Sequence, residues 1–486
     1  MAEQGLKDKT VKGVGWSAAD SLLGQGITFL VGLVLARLLG PSEYGLIGIV
    51  TIFITVFNAI IDSGFSQAVI RKKEANNDDY NTMFITNLVL SIVMFLVLFF
   101  SAPAIAKFFE RPELVSLTRV MGVVMIINAL SITQNTVLTK RIDFKTKTKA
   151  SLISAILSGI VGISMAFMGY GVWALVGQQI TKQLINTICL WIFNKWWPNF
   201  RFSKSSFSYM WGFGWKLLVS GLLDTTWNQL YQVVVGKFYS PATLGQYSRS
   251  KEYASIFSSN INTIVGRVSF PVLAEIQDDK TRLVSAYRRI IKTTMFVTAV
   301  CMISMGAIAD PMIYCLIGPQ WHQAATFLPY ICVSLSLLPL HAINLNMLKV
   351  QGRSDLFLKL EIIKKFIAIG PICLGIFVDI YWMVAGSVIT GFISFFLNSH
   401  YSGKFLGYSS WMQLKDIAPS YGLAFLIALS VYFLKYLPFS YWVILPIQIV
   451  VGMVVFFVFV HCKKVQEYEE LKGMMMPMLK KIKLLK

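Results

Sequence analysis

Four polar side chains, Thr51, Thr55, Asn58 and Asp62, interrupt an apolar stretch at steps of four, three and four residues. That spacing places all four on one face of a helix. Two hundred residues later the same register holds Lys251, Ser255, Ser258 and Asn262, with Arg249, Glu252 and Arg267 in the same stretch. Asp20 and Gln25 punctuate the first apolar stretch, and Lys216, Asp224 and Asn228 punctuate the seventh. Ammonium and guanidinium groups in apolar surroundings suit an anionic ligand, and the planar guanidinium matches phosphate oxygens especially well. Asp20, Asp62, Asp224 and Glu252 are candidates to take up a proton or Na⁺, because burial readily raises a carboxyl pKa. The competing roles are structural. Ser, Thr and Asn can join helices by hydrogen bonds, and Arg249 and Glu252, three residues apart, can neutralise each other.

Other chemistry is poorly represented. The six cysteines form no CxxC pair, and the four histidines are scattered, so the sequence offers no metal site and calls for no cofactor beyond a coupling ion. The cysteines read as buried apolar side chains. No acid–base constellation stands on a substantial loop; the longest outside connection, about 310–322, holds one Asp and one His. An enzymatic role is therefore not expected.

The elements that must position the polar residues are membrane helices. Charged residues are 14% and hydrophobic residues 55% of the 486, against about 25% charged in ordinary soluble proteins. A span needs roughly 20 apolar residues. Fourteen stretches qualify: 16–38, 43–66, 81–106, 114–138, 150–168, 171–194, 208–236, 242–270, 287–309, 323–348, 357–378, 380–400, 417–437 and 441–461. The first is long enough to span and lacks a cleavage pattern, so it reads as retained and not as a signal peptide. With the N-terminus inside, Lys and Arg number thirty in inside segments and five at outside ends. The excess predicts both termini in the cytoplasm. The net charge of +20 thus mostly sets orientation against an anionic inner leaflet. Basic residues dispersed over many loops form no single face for nucleic acid.

The chain also repeats itself. Gly13-Val14-Gly15-Trp16 returns as Gly212-Phe213-Gly214-Trp215, and Arg37, Pro41 and Gly45 match Lys237, Pro241 and Gly245. Asp78-Asp79 match Asp278-Asp279, and Trp173 and Gly177 match Trp382 and Gly386. Ordered matches at a nearly constant offset mark a duplication. Six helices separate equivalent points, so the repeats run parallel about an axis along the membrane normal, as in two-lobed transporters. The expected fold is all-α and integral to the membrane. It has a six-helix lobe over 1–194, a connector over 195–206 and a second six-helix lobe over 207–400. Two extra helices over 401–461 and a basic tail over 462–486 on the membrane surface complete it.

At this level the chain resembles a known family. Leu35-Ala36-Arg37-Leu38-Leu39-Gly40-Pro41-Ser42-Glu43-Tyr44-Gly45-Leu46 looks like the N-terminal motif of bacterial polysaccharide exporters. Leu244-Gly245-Gln246-Tyr247-Ser248-Arg249, Arg267-Val268-Ser269-Phe270-Pro271 and Gly171-Val172-Trp173-Ala174-Leu175-Val176 also fit. The resemblance is to Wzx-type flippases of the lipopolysaccharide and colanic-acid branch, within the multidrug/oligosaccharidyl-lipid/polysaccharide superfamily. It implies a protein of the bacterial inner membrane that moves an undecaprenyl-diphosphate-linked oligosaccharide between leaflets by alternating access, coupled to H⁺ or Na⁺. It implies a cationic cavity, to which Lys216, Arg249, Lys251 and Arg267, with Asn58, Asn262, Asn228 and Gln25, would contribute. It further implies membrane lipids and, in the same pathway, a polymerase and a chain-length regulator as partners. The spans of the first lobe depart from this pattern, being poor in Lys and Arg. The nearest alternative is a multidrug or cation antiporter of the same superfamily; a membrane polysaccharide polymerase or ligase is a more distant one.

Overall fold

A computed structural model describes residues 23–473. Seventeen α-helices follow one another, with no strand among the described residues. In the first half they are α1 (Gln25–Leu38), α2 (Pro41–Asp62), α3 (Phe65–Arg71), α4 (Asn77–Phe109), α5 (Leu114–Lys140), α6 (Phe144–Phe167), α7 (Val172–Asn194) and α8 (Lys204–Phe238). The rest are α9 (Pro241–Glu275), α10 (Lys280–Ala307), α11 (Ala309–Ile317), α12 (His322–Ser336), α13 (Leu338–Val350), α14 (Ser354–Phe377), α15 (Ile380–Leu406), α16 (Ser410–Tyr432) and α17 (Tyr441–Lys463).

Nine segments among the described residues are long and apolar enough to cross a membrane. The helices α1, α7, α8, α9 and α14 supply the other five of the fourteen expected stretches. Lys182 in α7, Lys216 and Asp224 in α8, and Arg249, Lys251 and Glu252 in α9 dilute their apolar character. Two expected spans are broken. The second divides at Ser63 and Gly64, both left-handed (φ 48° and 69°). The tenth divides at Leu337, just before Pro339 in the first turn of α13, where proline is tolerated. The connection near 310–322 is not an open loop, since it folds into α11 and a 3₁₀ turn, Pro319–Trp321.

The chain forms two compact units, Met1–Gly245 and Gln246–Lys486. In the first, α2 packs on α5 and α8, α4 on α5, and α6 on α7. In the second, α10 packs on α12 and α16, α14 on α15, and α16 on α17.

The repeated motifs acquire physical meanings. Pro41 opens α2 as its first residue, where its missing N–H is not needed. Pro241 opens α9, and Thr243 N donates to the capping Ser240 Oγ at 3.1 Å. The two openings cross within the first unit. A Cβ on Gly45 would lie 1.7 Å from the Pro241 carbonyl oxygen, and one on Gly245 2.0 Å from that of Pro41. Only glycine permits this approach. Gly214 does the same beside Ser63, whose carbonyl oxygen would lie 2.7 Å from an added Cβ. The repeated aspartates start helices. Asp79 closes a capping box with Asn76 (2.9 and 3.0 Å) at α4, and Asp279 accepts from Arg282 N at 3.0 Å to cap α10. Gly13–Trp16 lies outside the described residues.

The 195–206 connector is fastened to its unit by side-chain hydrogen bonds. Trp196 Nε1 donates to Asn77 Oδ1 (2.9 Å), Asn199 N to Asn81 Oδ1 (2.9 Å) and Ser203 N to Thr82 Oγ1 (2.9 Å). The described part of the tail is likewise packed on the second unit: Glu467 pairs with Lys292 and Glu470 with Arg289, both at 3.0 Å. Val465, Tyr468 and Leu471 join the apolar cluster around Phe296 and Val460. On the first unit Lys237 Nζ lies 2.7 Å from Glu110 and holds that carboxyl below the usual carboxylate range.

A buried polar node ties the second unit together. Asn344 Oδ1 accepts from Tyr287 Oη (2.8 Å) and Ser402 Oγ (2.8 Å), while Asn344 Nδ2 donates to Gln413 Oε1 (3.1 Å). Replacing Asn344 with Ala would strand the buried Tyr287 hydroxyl and the Gln413 amide, while Ser402 Oγ keeps the Ser399 carbonyl (3.0 Å), and each unsatisfied group costs about 1–3 kcal/mol. Asn344→Ala should therefore lose about 2 kcal/mol or more, measured by thermal unfolding in detergent. A loss under about 1 kcal/mol would refute the node's role.

Candidate functional site

The polar face of α2 divides in two. Thr51 and Thr55 donate to carbonyls one turn back, at Ile47 and Thr51 (2.7 Å each), and so serve their own helix. Asn58 and Asp62, one turn apart at the end of α2, line a cavity of about 340 Å³ together with Ser66 of α3 and Asn128, Asn135 and Thr139 of α5. Asn128 Nδ2 donates to Asn58 Oδ1 (3.1 Å), and Gln183 Nε2 of α7 donates to Asn128 Oδ1 (3.0 Å) and Ser131 Oγ (3.3 Å). This chain joins α2, α5 and α7, so Asn58 both holds helices together and borders the cavity. Asp62 accepts from Ser66 Oγ at 2.5 Å, bridging the left-handed break at Ser63–Gly64. Nearby in sequence to Gln183, Lys182 Nζ reaches Thr28 Oγ1 of α1 at 3.2 Å.

The second unit carries the charged group on α9. The expected i,i+3 pair forms, with Arg249 Nη1 2.7 Å from Glu252; the guanidinium is buried and the carboxylate half-exposed. Helix α9 is held in register by neighbours on α12 and the preceding turn. Gln246 Nε2 donates to the Gln320 carbonyl (2.7 Å) and Ala324 N to Gln246 Oε1 (2.9 Å). Ser258 Oγ donates to the Leu335 carbonyl (2.7 Å), so this member of the polar face is spent on packing. Lys251 is different. It is partly buried in α9, and no carboxylate or hydrogen-bond partner reaches it among the described residues. Asn262, on the same helix face, has a buried Oδ1 with no partner among the described residues.

The remaining expected residues are not gathered at either place. Gln25 on α1, and Lys216, Asp224 and Asn228 on α8, are exposed. The Lys216 ammonium lies 6.0 Å from the Trp215 ring centroid. Arg267 belongs to α9, but its side chain, like the whole of Asp20, lies outside the described residues. Among the described residues no group of three His, Cys, Asp or Glu side chains could hold a metal. The residues missed from sequence are the α5 amides Asn128 and Asn135. With Ser131 and Thr139 they recur at steps of three and four, a polar stripe visible in the sequence.

The family model described as polysaccharide biosynthesis protein matches residues 34–326, more than half of the chain. The chain is 24% identical over 368 residues to the succinoglycan biosynthesis transport protein ExoT of Rhizobium meliloti (strain 1021), covering 76% of this chain and 74% of that one. It is 22% identical over 376 residues to the lipopolysaccharide biosynthesis protein WzxC of Escherichia coli (strain K12), covering 76% of each. Among solved structures, the lipid II flippase MurJ in an inward closed conformation superposes with a TM-score of 0.70 at 15% identity, covering 95% of this chain and 99% of that one. The chain is thus a multi-pass membrane protein with the fold of that flippase, and it belongs to the polysaccharide biosynthesis protein family.

Proposed function

We propose that the protein moves an undecaprenyl-diphosphate-linked oligosaccharide from the inner to the outer leaflet of the bacterial cytoplasmic membrane. It does so by alternating access driven by an H⁺ or Na⁺ gradient, with both termini in the cytoplasm. Membership of the polysaccharide biosynthesis family and likeness to ExoT, a succinoglycan biosynthesis transport protein, and to WzxC, a lipopolysaccharide biosynthesis protein, support a part in polysaccharide transport. The observation that carries the anionic substrate is Lys251. A partly buried ammonium without a carboxylate partner is costly in a membrane helix, and an anionic headgroup supplies the missing charge. Arg249, already paired with Glu252, adds a guanidinium that a phosphate can share or capture. Capture by phosphate would release Glu252, which gives the coupling cation a carboxylate to occupy.

Deleting the gene tests this reading. Lipid-linked glycan should accumulate on the cytoplasmic leaflet, and the wild-type gene should clear it. Unchanged leaflet distribution in the deletion strain would overturn the proposal.

A further inference from the structure

The cavity of the first unit differs in chemistry from the charged group on α9. Its walls carry amides (Asn58, Asn128, Asn135), hydroxyls (Ser66, Thr136, Thr139) and one carboxylate, Asp62, with Ile70 and Ile132 as apolar backing. No Lys or Arg lines it. Several of its donors are already committed. Asn128 Nδ2 donates to Asn58, Asn135 Nδ2 to the Ser131 carbonyl (3.2 Å), Thr139 Oγ1 to the Asn135 carbonyl (2.7 Å) and Ser66 Oγ to Asp62. Lys147 Nζ reaches Thr139 Oγ1 at 3.1 Å without itself lining the space. What the walls can still offer is mostly acceptors: the Asn135 carbonyl oxygen and the Asp62 carboxylate, with the Asn58 Nδ2 as a donor.

Such a wall repels phosphate, because an anion would face Asp62 without a lining cation. A bare ion does not need about 340 Å³. A ring bearing several hydroxyl donors fits both the size and the polarity. We infer that this cavity is a sugar subsite: it takes one neutral sugar ring of the transported glycan, with Asn135 and Asp62 accepting from its hydroxyls. This inference rests on the proposed transport of a lipid-linked glycan and adds where the neutral part is recognised.

The test is equilibrium binding to the full-length protein in nanodiscs. The probes are undecaprenyl diphosphate without sugar and undecaprenyl diphosphate carrying glucose, galactose or N-acetylglucosamine. At least one sugar-bearing probe should bind about tenfold more tightly than the bare lipid, the effect of one hydrogen bond to a charged or polar acceptor. Asn135→Ala and, separately, Asp62→Asn should reduce that preference to about twofold or less while the bare lipid binds as before. Asn135→Asp, which keeps an acceptor, should retain the preference and shows that the site still folds. A preference undiminished in Asn135→Ala and Asp62→Asn would overturn the subsite, as would equal binding of all four probes by the wild type. So would an Asp62→Asn effect seen only as lost Na⁺ dependence, which would make the cavity an ion site. Failure of every probe to bind would instead count against the proposed substrate itself.

Discussion

Lys251→Ala is expected to cut transport by about 10- to 100-fold. A charge-assisted contact to an anionic headgroup contributes about 1.5–3 kcal/mol, and each 1.4 kcal/mol is a factor of ten. The measurement is cytoplasmic-leaflet glycan in a deletion strain complemented with the variant. Lys251→Arg, which keeps the charge, should retain most transport. A second readout separates function from structure. Lys251 has no carboxylate partner among the described residues, so the folded protein bears its desolvation uncompensated. Lys251→Met should therefore raise the unfolding temperature while transport falls. A group retained for packing would lower both. Full transport by Lys251→Ala would remove the basis for an anionic substrate.

The second large effect belongs to the crossing of the repeated motifs. In Gly45→Ala the new methyl would meet the Pro241 carbonyl at 1.7 Å, and in Gly245→Ala that of Pro41 at 2.0 Å. Both obstacles are backbone, so no side chain can rotate away, and the helix openings must separate. Overpacking of a core typically costs about 1–3 kcal/mol, and the backbone contact puts these variants at or beyond the upper end. Gly26→Ala is the control, because nothing lies within 4 Å of an added Cβ there, and alanine favours a helix interior by about 1 kcal/mol. The expected pattern in thermal unfolding is a clear loss for Gly45→Ala and Gly245→Ala, and no loss or a gain for Gly26→Ala. Equal stability of all three would show that the crossing does not hold the first unit together.

Much of this was legible in the sequence, for identifiable reasons. Hydropathy locates the helices because a bilayer fixes their length. The fourteen stretches correspond to helices even where Arg249, Lys251 and Glu252 make α9 too polar to pass for a span on composition. The pair Arg249–Glu252 was readable from its i,i+3 spacing, and Asn58 and Asp62 from theirs. The partners of Asn58 were not, because Asn128 and Gln183 lie on other helices and tertiary packing alone brings them near. The repeat was visible, but its purpose was not. Nothing in Pro41–Gly45 or Pro241–Gly245 taken singly says that each glycine makes room for the other motif's proline. Lys216 is exposed on α8 of the first unit, while Arg249 and Lys251 belong to the second unit. A charge count has no information about which face of a helix meets which neighbour.

Reconstitution asks whether the protein itself moves an anionic glycan lipid across the bilayer. Purified protein in liposomes, given an ion gradient, should expose undecaprenyl-diphosphate-linked sugar to a lectin or glycosidase on the opposite side. The rate should fall about 10- to 100-fold for Lys251→Ala. Leaflet exchange no faster than in protein-free liposomes, together with gradient-driven accumulation of a cationic dye, would contradict the account and favour an antiporter.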